Sequence, residues 1–220
     1  MIGNPLLPTM KSELSNKDPL IRNILKYLGY PPNAETDQEL LSSVEHALEE
    51  VAQKSNFQSV YAHFNRMPND FPSGTAYNEY LSDSSEYLLC AYTLGSQIDR
   101  HLKRLQITNM TDALLFDAAA SAYLEMLADE FDNSLPFSPL GFRFCPGYGG
   151  TSIRDNQVIA AQLHAERIGI TFLDSGLMVP MKSMVGIIRI GGKASAKSCQ
   201  QCTLLSDCPF RAKGSRCYSR

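Results

Sequence analysis

The chain has 220 residues, of which 44% are hydrophobic and 20% charged, with a formal net charge of −3 and no tryptophan. This composition excludes collagen-like, disordered and uniformly basic DNA-coating proteins, and the length suits one domain with or without a small appendage. No apolar run reaches the ~20 residues of a membrane span, and the N-terminus lacks a charged segment followed by an apolar core. We therefore expect a soluble cytoplasmic protein without a secretory signal.

The first part of the chain carries signals for two helices and a strand. Asp18, Pro19 and Gly29 fit the start and the end of a short helix. Residues 36–39 form a capping-box pattern ahead of a helical apolar stripe. The aromatic and β-branched residues of 57–64 predict a strand, and a polar loop that contains prolines follows it.

The rest of the main domain is predicted to contain three long helices and two strands. Helix starts and apolar periodicity place the helices over 83–105, 111–133 and 152–169. The strands are predicted over 170–173 and 184–190, and the second has so few polar residues that we expect it to be central in its sheet. Because the helices are grouped in the first half, we predict an α+β fold.

The C-terminal end differs in composition from the rest of the chain. From Gly186 to Arg220 there are seven basic residues and one acidic residue, a net charge of +6, so the first 185 residues carry −9. Four of the six cysteines lie in the same stretch. We therefore place a boundary near Gly191 and predict a main domain over 1–190 and a small basic appendage over 191–220, the cysteine tail.

The cysteine tail has the spacing of a metal site. Its cysteines follow the pattern C-x2-C-x5-C-x8-C: Cys199, Cys202, Cys208 and Cys217. Clustered cysteines in an intracellular chain indicate metal ligation rather than disulfides. A structural zinc site usually has two close pairs, whereas this tail has one, and Pro209 directly after a cysteine is typical of iron–sulfur patterns. We favour an iron–sulfur cluster, with zinc as the alternative and a metal-free tail as the third interpretation.

Residues 143–150 form the most informative loop of the main domain. Its Pro-Gly and Gly-Gly pairs enforce an irregular backbone, in which Arg143 can clamp a carboxylate and Tyr148 offers a flat ring and a hydroxyl. The alternative interpretation is a plain turn. On the helix predicted before this loop, Glu125 has mostly small helical neighbours that would let a ligand approach. Spacing alone nevertheless favours a solvent-facing glutamate on an alanine-rich helix.

Four separate stretches carry a resemblance to a known family. They are ILKYLGY at 24–30, YTLGSQIDRHL at 92–102, an R-x-x-P-G-Y pattern at 143–148 and DSGLMVPMKSMVG at 174–186. In this order and spacing, the chain resembles the activation domain of cobalamin-dependent methionine synthase, in a free-standing bacterial form. The resemblance covers roughly residues 20–190.

The resemblance implies a fold and a role. The family fold is α+β, with a curved, twisted antiparallel sheet and flanking helices, and it binds S-adenosylmethionine. This ligand supplies the methyl group in reductive methylation, in which inert cob(II)alamin takes up one electron and the resulting cob(I)alamin is methylated. Because cobalt is the nucleophile, the resemblance implies a methyl-transfer component that works by juxtaposition and needs no acid–base side chain.

The resemblance also implies ligand contacts, residue by residue. Arg143 matches a family arginine that holds the methionyl carboxylate, and Tyr148 matches a tyrosine at the ligand. Glu125 aligns with a family glutamate at the polar end of the ligand, which reverses the interpretation from spacing alone. Backbone contacts to the ligand are implied for three further loop residues: Phe144, Cys145 and Gly147.

The chain departs from the fused form of the family in two places. Gly149 stands where that form has proline after the Gly-Tyr pair, and residues 193–197 contain no aromatic residue where it has tyrosine. An early acidic ligand of the family has no unique match among Asp18, Glu35 and Asp37. These departures concern ligand contacts around the loop and beyond the strand predicted over 184–190.

The partners follow from what the chain lacks. It shows no corrinoid-binding or methyl-transfer domain, so we expect it to act in trans on a cobalamin-binding methionine synthase without an activation domain of its own, with an electron donor such as flavodoxin or ferredoxin. The first alternative is a reactivator of another corrinoid protein of one-carbon metabolism. The second is a metal-ribbon protein that binds nucleic acid, but the basic tail has only Phe210 and Tyr218 for stacking. We expect neither nucleic acid nor a membrane as partner.

Overall fold

The structure is a computed structural model that describes residues 18–31, 35–68, 71–192, 206–212, 214 and 216. The helices within these ranges are α1 Pro19–Tyr27, α2 Gln38–Lys54, α3 Thr75–Leu81, α4 Ser96–Thr108, α5 Met110–Ser134, α6 Asp155–Gln162 and α7 Pro209–Ala212. The strands are β1 Gln58–Phe64, β2 Glu86–Thr93, β3 Thr171–Phe172, β4 Met178–Val179 and β5 Ser183–Ile190. A 3₁₀ turn, Ala165–Ile168, follows α6. The fold is α+β with an antiparallel sheet and flanking helices, as the sequence predicts.

The main sheet has the order β1-β2-β5, and both strand pairs are antiparallel. A second, two-stranded sheet pairs β3 with β4. The outer edge of β5 is bordered by the segment over 140–144, which leads into the 143–150 loop, through bridges of Leu140 with Ile190 and of Phe144 with Ile187. The strand predicted over 184–190 therefore exists, but the central position in the three-stranded sheet belongs to β2.

The prediction of one helix over 83–105 is wrong in its first half. The structure has β2 there, then Gly95 with a φ of 83°, and only then α4. Every residue from Tyr87 to Thr93 is buried, so the run has no polar positions that would reveal a period of two. Apolar periodicity cannot distinguish such a fully buried strand from a buried helix.

Other predicted elements exist with shifted ends. The Asp37 side chain caps α2, and Asn109 caps α5, two residues before the predicted start of that helix at residue 111. The helix predicted over 152–169 is broken into α6 and the 3₁₀ turn at His164, which has a left-handed φ of 50°. The short helix α3 lies in the segment predicted as a polar loop.

The main core is built on α5, which packs against α1, α2 and α4. Its buried side chains meet the sheet face that carries Leu88, Tyr92 and Ile188. Phe116 of α5 is fully buried, and truncating a buried aromatic residue of this kind costs about 3–5 kcal/mol. Although α5 has 25 residues, neither it nor another helix in the described ranges has the apolar length of a membrane span.

A second core covers the opposite face of the sheet. Tyr77 of α3 and Ile159 of α6 are buried there with Leu89, Val185 and Ile187 of the strands. The 143–150 loop starts at the edge of this sheet, where Phe144 belongs to the second core and Arg143 contacts α5.

Candidate functional site

The loop over 143–150 is fixed to the sheet near its start. Phe144 exchanges two backbone hydrogen bonds with Ile187 of β5, with N···O distances of 2.8 and 2.9 Å. Three residues later, Gly147 has a φ of 97°, in the left-handed region that glycine adopts without a steric penalty. The chain therefore turns away from the sheet after the bridge and leaves Tyr148 58% exposed.

Arg143, in contrast, is buried and reaches α5. Its guanidinium donates to Asp129 Oδ1 at 2.7 Å and to Asp132, and its central carbon lies 5.0 Å from the centre of the Tyr92 ring. β5 leaves room for the arginine stem at Gly186, where an added Cβ would stand 2.6 Å from Arg143 Cγ. Arg143 thus ties the loop to the C-terminal half of α5.

Burial and charge compete at this contact. Burial disfavours the charged form of Arg143, but the surrounding acidic groups, of which Asp132 contributes most, together outweigh burial and raise the pKa of the guanidinium. Burial also raises the pKa of the Asp132 carboxyl, although Arg143 and the Tyr92 hydroxyl, which donates to Asp132, each lower that pKa in part. A guanidinium is not deprotonated in proteins, so the contact is a buried ion pair. Removing Asp132 would leave the buried guanidinium with only the exposed Asp129, and removing Arg143 would leave the Asp132 charge buried without a cation.

Arg143 meets one end of a polar face on α5. Residues spaced by four and three share a helix face, and five polar side chains have this spacing, here named the α5 polar row: Asp117, Ser121, Glu125, Asp129 and Asp132. At the opposite end, Lys182 donates to Ser121 Oγ and pairs with Asp117 Oδ1, both at 2.8 Å. In the middle, the Tyr27 hydroxyl donates to Glu125 Oε1 at 2.7 Å. Each end of the row therefore holds a basic residue, and the middle holds a carboxylate bonded to a hydroxyl.

Glu125 is half-buried, so it is not the fully solvent-facing glutamate that spacing alone favours. Its helical neighbours Ala118 and Ala122 are small and buried. Asp129 lies one turn further along α5, about 5–6 Å away between Cβ atoms. The guanidinium of Arg143 therefore contacts α5 one turn away from Glu125. The ligand contact of Glu125 stays a prediction.

Several predicted ligand contacts already have partners within the protein. Both terminal nitrogens of Arg143 donate to α5 carboxylates, the Phe144 N–H is bonded within the sheet, and the Gly147 N–H donates to a threonine hydroxyl of the loop at 2.9 Å. A ligand would have to replace or share these hydrogen bonds. Cys145 is half-buried and Tyr148 is exposed. The ligand roles of all six residues stay predictions.

Sequence reasoning missed the residues that organise this site. Tyr27, Tyr92 and Lys182 lie in the stretches that carry the family resemblance, yet no role follows for them from the sequence. Asp132 is the main partner of Arg143 but is not among the predicted site residues. The spacing of acids at four and three residues along α5 is the signal that could have identified it.

Exposed apolar side chains lie on the loop, on the segment after it and on the β3–β4 turn. Tyr148, Ile153 and Leu177 are each between 44% and 58% exposed. A Cβ added at Gly176 would lie 3.6 Å from Ile153 Cγ2, so the β3–β4 turn packs on the segment after the loop. Exposed apolar side chains on neighbouring segments are typical of interaction sites.

The predicted metal ligands lie mostly outside the described residues: Cys199, Cys202 and Cys217. Cys208 is described, directly before α7, as a half-buried free cysteine. Within the ranges that the structure describes, no three His, Cys, Asp or Glu side chains are grouped as they would be around a metal ion. The metal site of the cysteine tail therefore stays a prediction.

Comparisons with known proteins support the fold. No family model matches the chain, and no curated protein matches it either. Among solved structures, the chain is similar to the crystal structure of the MetH reactivation domain bound to AdoHcy, with a TM-score of 0.56 and 16% sequence identity. The match covers 90% of this chain and 83% of that one. The chain therefore shares the α+β architecture of that reactivation domain, which is the fold that the resemblance implies.

Proposed function

We propose that this protein binds S-adenosylmethionine at the α5 polar row and the 143–150 loop. We further propose that it acts in trans, using this ligand to reactivate an oxidised, cob(II)alamin-bound methionine synthase by reductive methylation. The fold likeness to a reactivation domain that binds AdoHcy, the demethylated product of S-adenosylmethionine, supports the ligand class.

One observation carries the proposal: the four stretches that resemble the family, far apart in sequence, all meet at α5. Tyr27 of the first stretch contacts Glu125. Tyr92 of the second packs against Arg143 of the third. Lys182 of the fourth contacts the N-terminal end of the α5 polar row. Residues shared with a family because of its ligand are expected to converge in this way on one surface.

The charges of this surface suit the ligand. S-adenosylmethionine has a carboxylate, an ammonium and a sulfonium, so its site needs one cation and at least one anion. The Asp129 side chain is 69% exposed, so a ligand carboxylate can replace it on Arg143 while the buried Asp132 stays bound. Glu125 is then the anion for the positive groups, and the exposed ring of Tyr148 is available to the adenine.

The corrinoid belongs to the partner protein and is a substrate of the reaction. A donor such as flavodoxin or ferredoxin gives one electron to cob(II)alamin, and the reduced cobalt attacks the methyl carbon of the sulfonium, which breaks the carbon–sulfur bond and releases S-adenosylhomocysteine. The protein contributes orientation of the methyl group. The exposed apolar side chains of Tyr148, Ile153 and Leu177 support docking of the partner at the loop.

The proposal includes an iron–sulfur cluster in the cysteine tail, with zinc as the alternative. The donor set fits, because four cysteines lie within 19 residues among basic neighbours that favour thiolates, and Cys208 is not in a disulfide. When bound, a cluster supplies one-electron transfer. Iron with acid-labile sulfide in anaerobically purified protein supports the cluster, zinc alone supports the alternative, and a folded tail with neither metal contradicts both.

A reconstituted methyl transfer tests the proposed function. The protein is mixed anaerobically with a cob(II)alamin-loaded methionine synthase that lacks its activation domain, a one-electron reductant and S-adenosylmethionine labelled in the methyl group. We expect labelled methylcobalamin only when the protein is present, with a strongly reduced rate for Glu125→Gln and an unchanged rate for Glu130→Gln, a neighbouring exposed acid. Ligand binding without any label on cobalamin would contradict the reactivation role.

A further inference from the structure

The described part of the cysteine tail contacts the main domain. Phe210 lies in α7, and Lys26 Nζ stands over its ring, 5.6 Å from the centroid. This is the geometry of a cation–π interaction. Cys208 is only two residues before Phe210. The contact thus brings one predicted metal ligand close to the main domain.

Lys26 places this contact next to the residue that bonds Glu125. Lys26 is in the last turn of α1, and the next residue, Tyr27, donates to Glu125. The end of α1 is closed by backbone hydrogen bonds from the N–H groups of Leu28, Gly29 and Tyr30. Phe210 of the tail therefore contacts the end of α1, the same helix end from which Tyr27 reaches Glu125.

Charge supports the same placement. The chain from Gly186 onward has a net charge of +6, whereas the preceding residues carry −9. Four of the five residues of the α5 polar row are carboxylates, and Glu125 and Asp129 are only partly covered. A basic tail is attracted towards such a surface, and the Phe210–Lys26 contact fixes where it is seated.

We propose that the cysteine tail docks through Phe210 on the C-terminal end of α1, at the edge of the α5 polar row, so that the tail and a ligand at Glu125 influence each other. The docking stands on the described contacts alone, whereas the influence of the ligand rests on the proposed function. A ligand that engages Glu125 shares this carboxylate with the Tyr27 hydroxyl, and Tyr27 is the neighbour of Lys26. The contact between Phe210 and Lys26 therefore lies beside the candidate site.

Hydrogen exchange of the full chain, followed by mass spectrometry, tests the docking without any ligand. We expect Phe210→Ala to speed exchange several-fold at residues 28–30, because the helix end loses its cover. Tyr218→Ala, which removes the other aromatic residue of the tail, should leave that exchange unchanged. Equal exchange in the wild type and Phe210→Ala would overturn the docking.

The reciprocal variant protects this test against a folding defect in the tail. Lys26→Met keeps the stem and removes the charge, and we expect it to speed exchange at residues 206–212. Arg22→Met, one turn earlier on α1 and exposed, is the matched control and should have no effect there. Equal rates in both variants would also overturn the docking.

A second arm adds S-adenosylmethionine and keeps the two proposals distinguishable. If the ligand binds, exchange at 206–212 should change in the wild type and not in Glu125→Gln. Ligand binding, measured by calorimetry, without any change at 206–212 would overturn the coupling between tail and site. Absence of binding would contradict the proposed function, while the variants without ligand would still decide the docking.

Discussion

Two acids of the α5 polar row, Asp132 and Glu125, differ in burial, and under the proposed function this difference separates their roles. At the C-terminal end, Asp132 and Arg143 form an ion pair whose side chains are 11% and 6% exposed. In the middle, Glu125 is half-buried and its partner Tyr27 is an exposed residue. The buried acid fixes the 143–150 loop, whereas the more accessible acid is the one that we propose for the ligand. Burial, rather than residue type, distinguishes the two.

The largest expected effect tests the buried end. Asp132→Ala should destabilise the protein by about 3–5 kcal/mol, because it leaves the Arg143 charge buried without its main partner. Urea unfolding measures this loss. Asp129→Ala, at the exposed carboxylate that binds the same guanidinium, should cost less than about 1 kcal/mol. Equal losses in the two variants would mean that burial does not distinguish the two acids.

Alkaline unfolding tests the burial of the core near Asp132 by way of the Cys90 thiol. Cys90 lies on β2 in the main core, and burial, with a smaller effect of Asp132, raises the pKa of its thiol from 9.0 to about 12. The folded state therefore holds this proton more tightly, so the stability that it gives is complete below pH 9 and is lost as the pH rises towards 12. The free energy of unfolding should fall by up to about 1.4 kcal/mol per pH unit in that window from this group.

Cys90→Ala is the matched variant for the alkaline test. It should be less stable than the wild type near neutral pH but should lose stability less steeply between pH 9 and 12. Buried tyrosines such as Tyr80 and Tyr92, whose pKa values are also raised by burial, account for the slope that remains. The same slope in both proteins would show that the thiol is not as buried as the structure indicates.

Gly186→Ala tests the path by which Arg143 reaches α5. The added Cβ would stand 2.6 Å from Arg143 Cγ, so the arginine stem must shift, and we expect a loss of about 1–3 kcal/mol in the free energy of unfolding. In an Arg143→Ala background the clash with Cγ is gone, and the same substitution should cost less. Additive costs in the double variant would contradict this packing.

A pair of tyrosines gives the smallest and sharpest contrast. Tyr27→Phe removes the hydroxyl that donates to the half-buried Glu125 and should change the free energy of unfolding by less than about 1 kcal/mol. Tyr92→Phe removes the hydroxyl that donates to the buried Asp132 and should cost about 1–3 kcal/mol. If thermal and urea unfolding ranked the two variants in the opposite order, the difference in burial between Asp132 and Glu125 would not explain their stability effects.

Features that depend on neighbours in sequence were predictable. The Asp18 cap with Pro19 at the first helical position, and the strand over 57–64, are local signals, and the structure has both elements. The strand from Glu86 to Thr93 was not predictable in this way, because helices cover one of its faces and a second core the other. The sequence of a strand buried on both faces carries no alternation.

The candidate site shows the same division. The loop with Arg143 and Tyr148 can be identified from its motif, and Glu125 from the alignment of the resemblance. Their partners cannot, because Tyr27 and Asp132 reach them through tertiary packing between segments far apart in the chain. The regular spacing of acids along α5 could have indicated the partners of Arg143, but it does not tell which acid is buried.

Calorimetric titration of S-adenosylmethionine into Glu125→Gln and Asp132→Asn, each paired with urea unfolding, tests the central claim most directly. We expect Glu125→Gln to weaken binding at least about tenfold, or about 1.4 kcal/mol, with little loss of stability. Asp132→Asn should instead lose stability, because a neutral amide replaces the main counter-charge of Arg143. Wild-type affinity in Glu125→Gln, in a protein that itself binds the ligand, would contradict the account.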